Sequence, residues 1–110
     1  MKAYLFVINC EPAIENRYHG KVGGADAHVC VMDIDADIAE QRAINIVRQK
    51  GWIPTEIEYA FVLPVERLHE FHESTVFLYY RAVHQGIAVD FVGCQAEEHP
   101  GDPVLIVPPC

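Results

Sequence analysis

The chain predicts an α+β fold: a two-layer sandwich of one mostly antiparallel sheet, four to five strands wide, with two helices on one face. Three observations predict it. Two helical patterns each stop at a glycine and run at once into a strand pattern, at Gly51-Trp52 and at Gly86-Ile87. The elements follow in the order strand, strand, helix, strand, helix, strand. In the third strand Glu56 and Glu58 alternate with Ile57, Tyr59 and Phe61, as expected where a sheet is covered on one face and open on the other.

Residues 3–9 form an apolar run that reads as the first strand, and residues 27–34, rich in valine, as the second. Between them residues 11–26 hold Pro12, Gly20, Gly23 and Gly24 and predict a long irregular connection. Connections of that length tend to carry function. The first helix is expected to start at Asp37, whose carboxylate can accept a free backbone N–H while Glu40 reaches back, a capping box with Asp in the Ser/Thr role. Ala39, Ala43, Ile46 and Val47 then share one face, Arg48 and Lys50 meet the negative end of the helix dipole, and Gly51 supplies the left-handed stop.

Residues 55–63 form the third strand. Pro64 suits the first turn of a second helix, where its missing N–H costs nothing. Leu68, Phe71, Thr75, Leu78, Tyr79 and Ala82 line one side of that helix, which can run to Gln85, with a break expected near Ser74 because the β-branched pair Thr75-Val76 weakens its middle. Residues 87–92 follow as a strand. The whole reads as a single α+β domain over residues 1–94, with a Pro-rich extension over residues 95–110 whose apolar run at 104–107 suits a sheet edge or a subunit contact.

A chain of 110 residues is one domain. With 16 acidic against 8 basic residues it carries a net charge of −8, and its basic residues are scattered, which argues against nucleic acid as a partner. It has no run of eighteen apolar residues, so no membrane span is expected. The N-terminal apolar run lacks a small-residue cleavage site and reads as a strand rather than a signal peptide, which makes the cytoplasm the expected location. Cys10, Cys30, Cys94 and Cys110 show no Cys-x-x-Cys spacing, and the first three lie in or beside apolar strand patterns as reduced structural thiols.

Four constellations could carry chemistry, and each has a structural explanation. Asp33, Asp35 and Asp37 open like a calcium loop, but Ile38 stands where glycine is needed and Ile44 where glutamate is needed, so strand exit and helix cap account for them. Glu66, His69 and Glu73 share a helical sector, and Glu-x-x-His occurs in di-metal carboxylate sites; those sites draw ligands from further helices, whereas a solvated face needs none. His72 falls near the apolar side, at the core margin. Residues 19–24, with Lys21 and three glycines, could wrap an anion, but no helix begins after them and a turn suffices. His28, Glu58 and Asp90 occupy strand positions and, if brought together on the open sheet face, would form a ligand-binding patch able to tune a histidine.

Phe77 and Tyr80 point away from the core side of the second helix, which marks a contact surface; a homodimer is the simplest partner for it. Gly23-Gly24-Ala25, Ala43 with Gly51-Trp52, and Tyr79-Tyr80-Arg81-Ala82 before Gly86 resemble a group of small uncharacterised bacterial α+β proteins. The resemblance covers most of residues 1–94 and leaves out the tail from His99. It implies a compact α+β fold of bacterial cytosolic origin, and brings no activity or catalytic residues with it.

The residues therefore predict a noncatalytic binding or protein-interaction module, homodimeric, with no cofactor and an unidentified protein or small-molecule partner. The alternative is a small hydrolase or metal-dependent enzyme using His28 or His69 with nearby carboxylates.

Overall fold

Two long strands lie at the centre of the computed structural model, which describes residues 1–95. β1 (Lys2–Pro12) and β2 (Val22–Asp33) pair antiparallel, with Tyr4 opposite Val31 and Ile8 opposite Ala27. β1 runs on past Asn9 to Pro12 and β2 starts at Val22 rather than Ala27, so the connection expected over residues 11–26 shrinks to residues 13–21, and Gly23 and Gly24 belong to a strand. Extended backbone at glycine carries no local signal, and only pairing with the neighbouring strand reveals it. The shortened loop is tied down: the Ala13 N–H and the Asn16 side-chain amide both donate to the Gly51 carbonyl, at 3.0 and 2.8 Å.

α1 (Ala36–Gln49) begins two residues earlier than predicted. The capping side chain is Asp35, whose Oδ1 accepts from the N–H groups of Asp37 and Ile38 at 2.9 and 3.0 Å. That geometry puts Ile38 at the third helical position, so Glu40 closes no capping box. Asp33 serves the strand exit, accepting from the Ile34 and Asp35 N–H groups and pairing with Arg42 at 2.9 Å. The helix stops as its sequence demands, with Gly51 at a φ of 89°.

β3 (Trp52–Val62) pairs antiparallel with β1. The expected second helix is two pieces, a 3₁₀ segment (Val65–Glu70) and α2 (Glu73–Gln85). The break falls at Phe71 and His72, just ahead of Ser74. His72 is exposed there and caps α2 by accepting from the Ser74 N–H at 3.1 Å, which replaces the core-margin position expected of it. α2 ends at Gly86, φ 89°, and β4 (Ile87–Gln95) pairs antiparallel with β2. The apolar run at 104–107 lies outside the described residues.

Among the described residues the sheet has four strands in the order β3-β1-β2-β4, every neighbouring pair antiparallel, and helices pack against it, as an α+β sandwich requires. The placement of the helices differs from the prediction of two on one face. Ala39, Ala43 and Val47 of α1 cluster with Tyr4, Phe6, Ile8, Val29 and Val31. Leu78 and Ala82 of α2 cluster instead with Ala3, Leu5, Cys30 and Ala88. Successive strand side chains point to opposite faces, so the two helices lie on opposite sides of the sheet. The sequence signal for this is the unbroken apolar run from Ala3 to Ile8, the pattern of a strand buried on both faces rather than one. Each fully buried aliphatic side chain on either face contributes about 1.5–3 kcal/mol.

Candidate functional site

α2 does not reach the whole of its face. It covers the end that holds Ala3, Leu5, Cys30 and Ala88. Farther along, the same face carries Val7, Asn9, Asp26, His28, Tyr59 and Asp90, all half-buried or exposed. This open half is where polar side chains enter the central strands. Among the described residues none of the buried ones is polar or charged, so the open half is the place where the sheet tolerates such groups.

The geometry joins two of the three predicted ligand-binding residues. His28 and Asp90 are direct cross-strand partners on β2 and β4. Glu58 lies on β3, the opposite edge, with β1 and β2 between it and Asp90. Three strand spacings put the two backbones about 14 Å apart. Asp90 is also already engaged, since Arg81 of α2 donates to its Oδ1 at 2.7 Å and to the Val89 carbonyl at 3.1 Å. That contact anchors α2 to β4; being exposed on both sides, it adds little stability.

Glu58 instead has neighbours that sequence reasoning missed. Asn9 and Asp26 are cross-strand partners. With the Asn9 amide assigned so that its nitrogen faces the two carboxylates, it donates to Asp26 Oδ1 at 2.7 Å and to Glu58 Oε1 at 3.1 Å. β3 shifts register against β1 between Val7 and Ile8 and again between Asn9 and Cys10. Shifts of this kind re-aim a side chain, and here they accompany the turn of Glu58 toward Asn9. A polar residue interrupting an otherwise apolar strand at Asn9 was the available signal.

Cys10 and Cys30 are not poised for chemistry. Burial, then the nearby Asp26 carboxylate, pushes Cys10 up to about 12, and burial pushes Cys30 up to about 11. Both are free and stay protonated at neutral pH, so neither supplies a thiolate nucleophile. Glu66 and His69 sit on the 3₁₀ segment while Glu73 opens α2, so the break removes the common sector expected for them. His69 is exposed, with its Nε2 4.0 Å from Glu70. Among the described residues no three His, Cys, Asp or Glu side chains gather to hold a metal.

On the α1 face, Tyr18, Trp52 and Phe91 form an aromatic row, with Trp52 stacked on Phe91 at 5.1 Å and 6.2 Å from Tyr18. It floors a cleft of about 520 Å³ bordered by Arg17 and Lys50. Trp52 is buried, so the row closes the end of the core.

No family, curated protein or solved structure matches the chain. Among the described residues no helix is long and apolar enough to cross a membrane.

Proposed function

We propose that this chain is a small noncatalytic binding or protein-interaction module that acts as a homodimer in the cytoplasm. The observation that carries the reading is the outer side of α2, where Phe77 and Tyr80 are 63% and 53% exposed with Val83 at 46%. Exposed aromatic side chains on one helix are the composition of an interface core rather than of a solvated face. The helix beneath is held rigidly, by Leu78 and Ala82 in the core and by Arg81 on Asp90.

The noncatalytic part of the reading rests on distances. An acid–base site needs its groups within hydrogen-bond reach; the predicted trio does not converge, because Glu58 is three strands from Asp90 and Asp90, the cross-strand partner of His28, is engaged by Arg81. Free buried thiols at Cys10 and Cys30 suit a reducing compartment.

The test is the mass in solution. Static light scattering of the intact chain is expected to give a dimer, and Phe77→Ser combined with Tyr80→Ser to lower that mass about twofold, since both side chains sit at the surface and their loss spares the core. An unchanged mass in the double variant removes the α2 seam.

A further inference from the structure

The two halves of β3 are unlike. Its first half holds Pro54, Glu56 and Glu58 and both register shifts against β1. These are the devices by which natural sheets blunt an open edge. Its second half, Tyr59, Ala60, Phe61 and Val62, has no charge, no proline and no register shift, and all four residues are exposed. Among the described residues β3 is an edge strand, and none of them pairs with this half on its outer side.

The direction of its backbone groups follows from one hydrogen bond. The Leu63 N–H donates to the Ala3 carbonyl at 2.8 Å, so the pair facing β1 falls on odd positions. Alternation along an antiparallel ladder then turns the N–H and C=O of Tyr59 and Phe61 toward β1, and those of Ala60 and Val62 away from the sheet. Beside these free groups, on the α1 face, lies a hollow of about 210 Å³ lined by Tyr4, Phe6, Ala60 and Val62, with Asp37 and Glu40 of α1 also bordering it. On the other face Phe61 stacks on Phe71 at 6.5 Å next to exposed Tyr59.

We infer that this half-edge binds an extended peptide strand of a partner protein, one whose alternating apolar residues are flanked by Lys or Arg. The strand's main chain pairs with Ala60 and Val62, one apolar side chain enters the hollow, and the intervening side chains of opposite parity lie against Tyr59 and Phe61. Backbone pairing supplies affinity in such strand addition, and pockets for alternate side chains supply choice. The basic flanks meet Asp37, Glu40 and Glu58. A second copy of this chain is the poorer occupant, because it carries a net charge of −8 to an acidic border. The inference rests on the binding-module reading and names the partner's chemistry.

The experiment uses the intact chain and two synthetic peptides, Lys-Lys-Val-Thr-Val-Thr-Val-Lys-Lys and the same sequence with Glu for each Lys. Amide hydrogen exchange by NMR is expected to slow by about tenfold or more at Ala60 and Val62 with the Lys peptide, and to stay unchanged at Phe61, which already pairs with β1. The Glu peptide is expected to bind at least about tenfold more weakly, and added salt to narrow that gap. Val62→Pro deletes an outward N–H while sparing the β1 ladder, and is expected to weaken the Lys peptide about tenfold.

Unchanged exchange at Ala60 and Val62, or equal binding of the two peptides, overturns the proposal. Protection of those amides that rises with protein concentration in the absence of peptide also overturns it, by giving the edge to a second copy. If Val62→Pro fails to fold by circular dichroism, the exchange measurement on the unaltered chain decides alone. Light scattering of the Phe77 and Tyr80 double variant bears on the α2 seam only, so failure of one reading is distinguishable from failure of the other.

Discussion

Val7 and Ile8 are neighbours in the chain and stand on opposite faces of the sheet, and their surroundings differ sharply. Ile8 is wholly buried among Phe6, Ala27 and Val29 and the side chains of α1. Val7 is half-buried, with His28 on one side and Tyr59 on the other. The difference comes from helix length and placement. α1 has 14 residues and so spans about 21 Å, and it touches all four strands. On the other face the 3₁₀ segment and α2 divide the available chain, and α2 packs mainly on β4 and β2. One face therefore makes stability, while the uncovered half of the other has room for Asn9, Asp26 and His28.

Truncation tests this contrast most severely. Ile8→Ala is expected to cost about 3–4 kcal/mol in urea denaturation, because it removes buried methylenes and leaves a cavity under a helix that cannot collapse onto it. Val7→Ala is expected to cost about 1 kcal/mol or less, in line with a side chain that already meets water. Equal costs at the two positions would mean that the open half is covered in solution, by a partner or by another part of the chain.

Much of the fold is written in local chemistry. Gly51 and Gly86 end helices where a left-handed residue is needed, and the apolar stripe of each helix lies on its buried side. The face each helix covers is not local. It depends on β3 joining β1 and β4 joining β2, pairings that each skip the strand between them in the chain, and the run from Ala3 to Ile8 hints at it only through burial on both sides. The same holds for the candidate residues. His28 and Asp90 become neighbours through β2–β4 pairing, and Glu58 leaves them for Asn9 because β3 enters at the other edge. Register shifts in β3 break the alternation from which the charged side of that strand was read.

The covered face also depends on how its helix begins. Asp35 holds two free N–H groups of α1, and Asp35→Ala is expected to cost about 1 kcal/mol, readable as a lower urea midpoint at unchanged slope. Asp37→Ala makes the comparison sharper. Its carboxylate is near the positive end of the dipole but is not the capping acceptor, so a loss of about 0.3–0.5 kcal/mol is expected. A larger loss at Asp37 than at Asp35 would place the helix start where the sequence pattern alone had put it.

The smallest effect separates the faces by a buried thiol on each, Cys10 in the α1 cluster and Cys30 under α2. Both are raised above the ordinary 9.0, to about 12 and about 11. A folded value above the unfolded one means that the protonated thiol favours folding. The contribution is whole below about pH 9, where the unfolded thiol is still protonated, and is lost as the pH rises toward the folded values. Between about pH 9 and pH 10 the unfolded chain ionises and the folded chain does not, so each thiol accounts for a loss of about 1 kcal/mol at most. Cys10→Ala and Cys30→Ala should each flatten the fall of stability with pH over that interval, measured as the urea midpoint against pH. Above about pH 11 the two should part, with the Cys30 contribution levelling first while that of Cys10 continues to decline toward about pH 12. If the unaltered chain and both variants fall in parallel, the thiols are reaching solvent through local opening, and the α1 face is less closed than the packing around Ile8 implies.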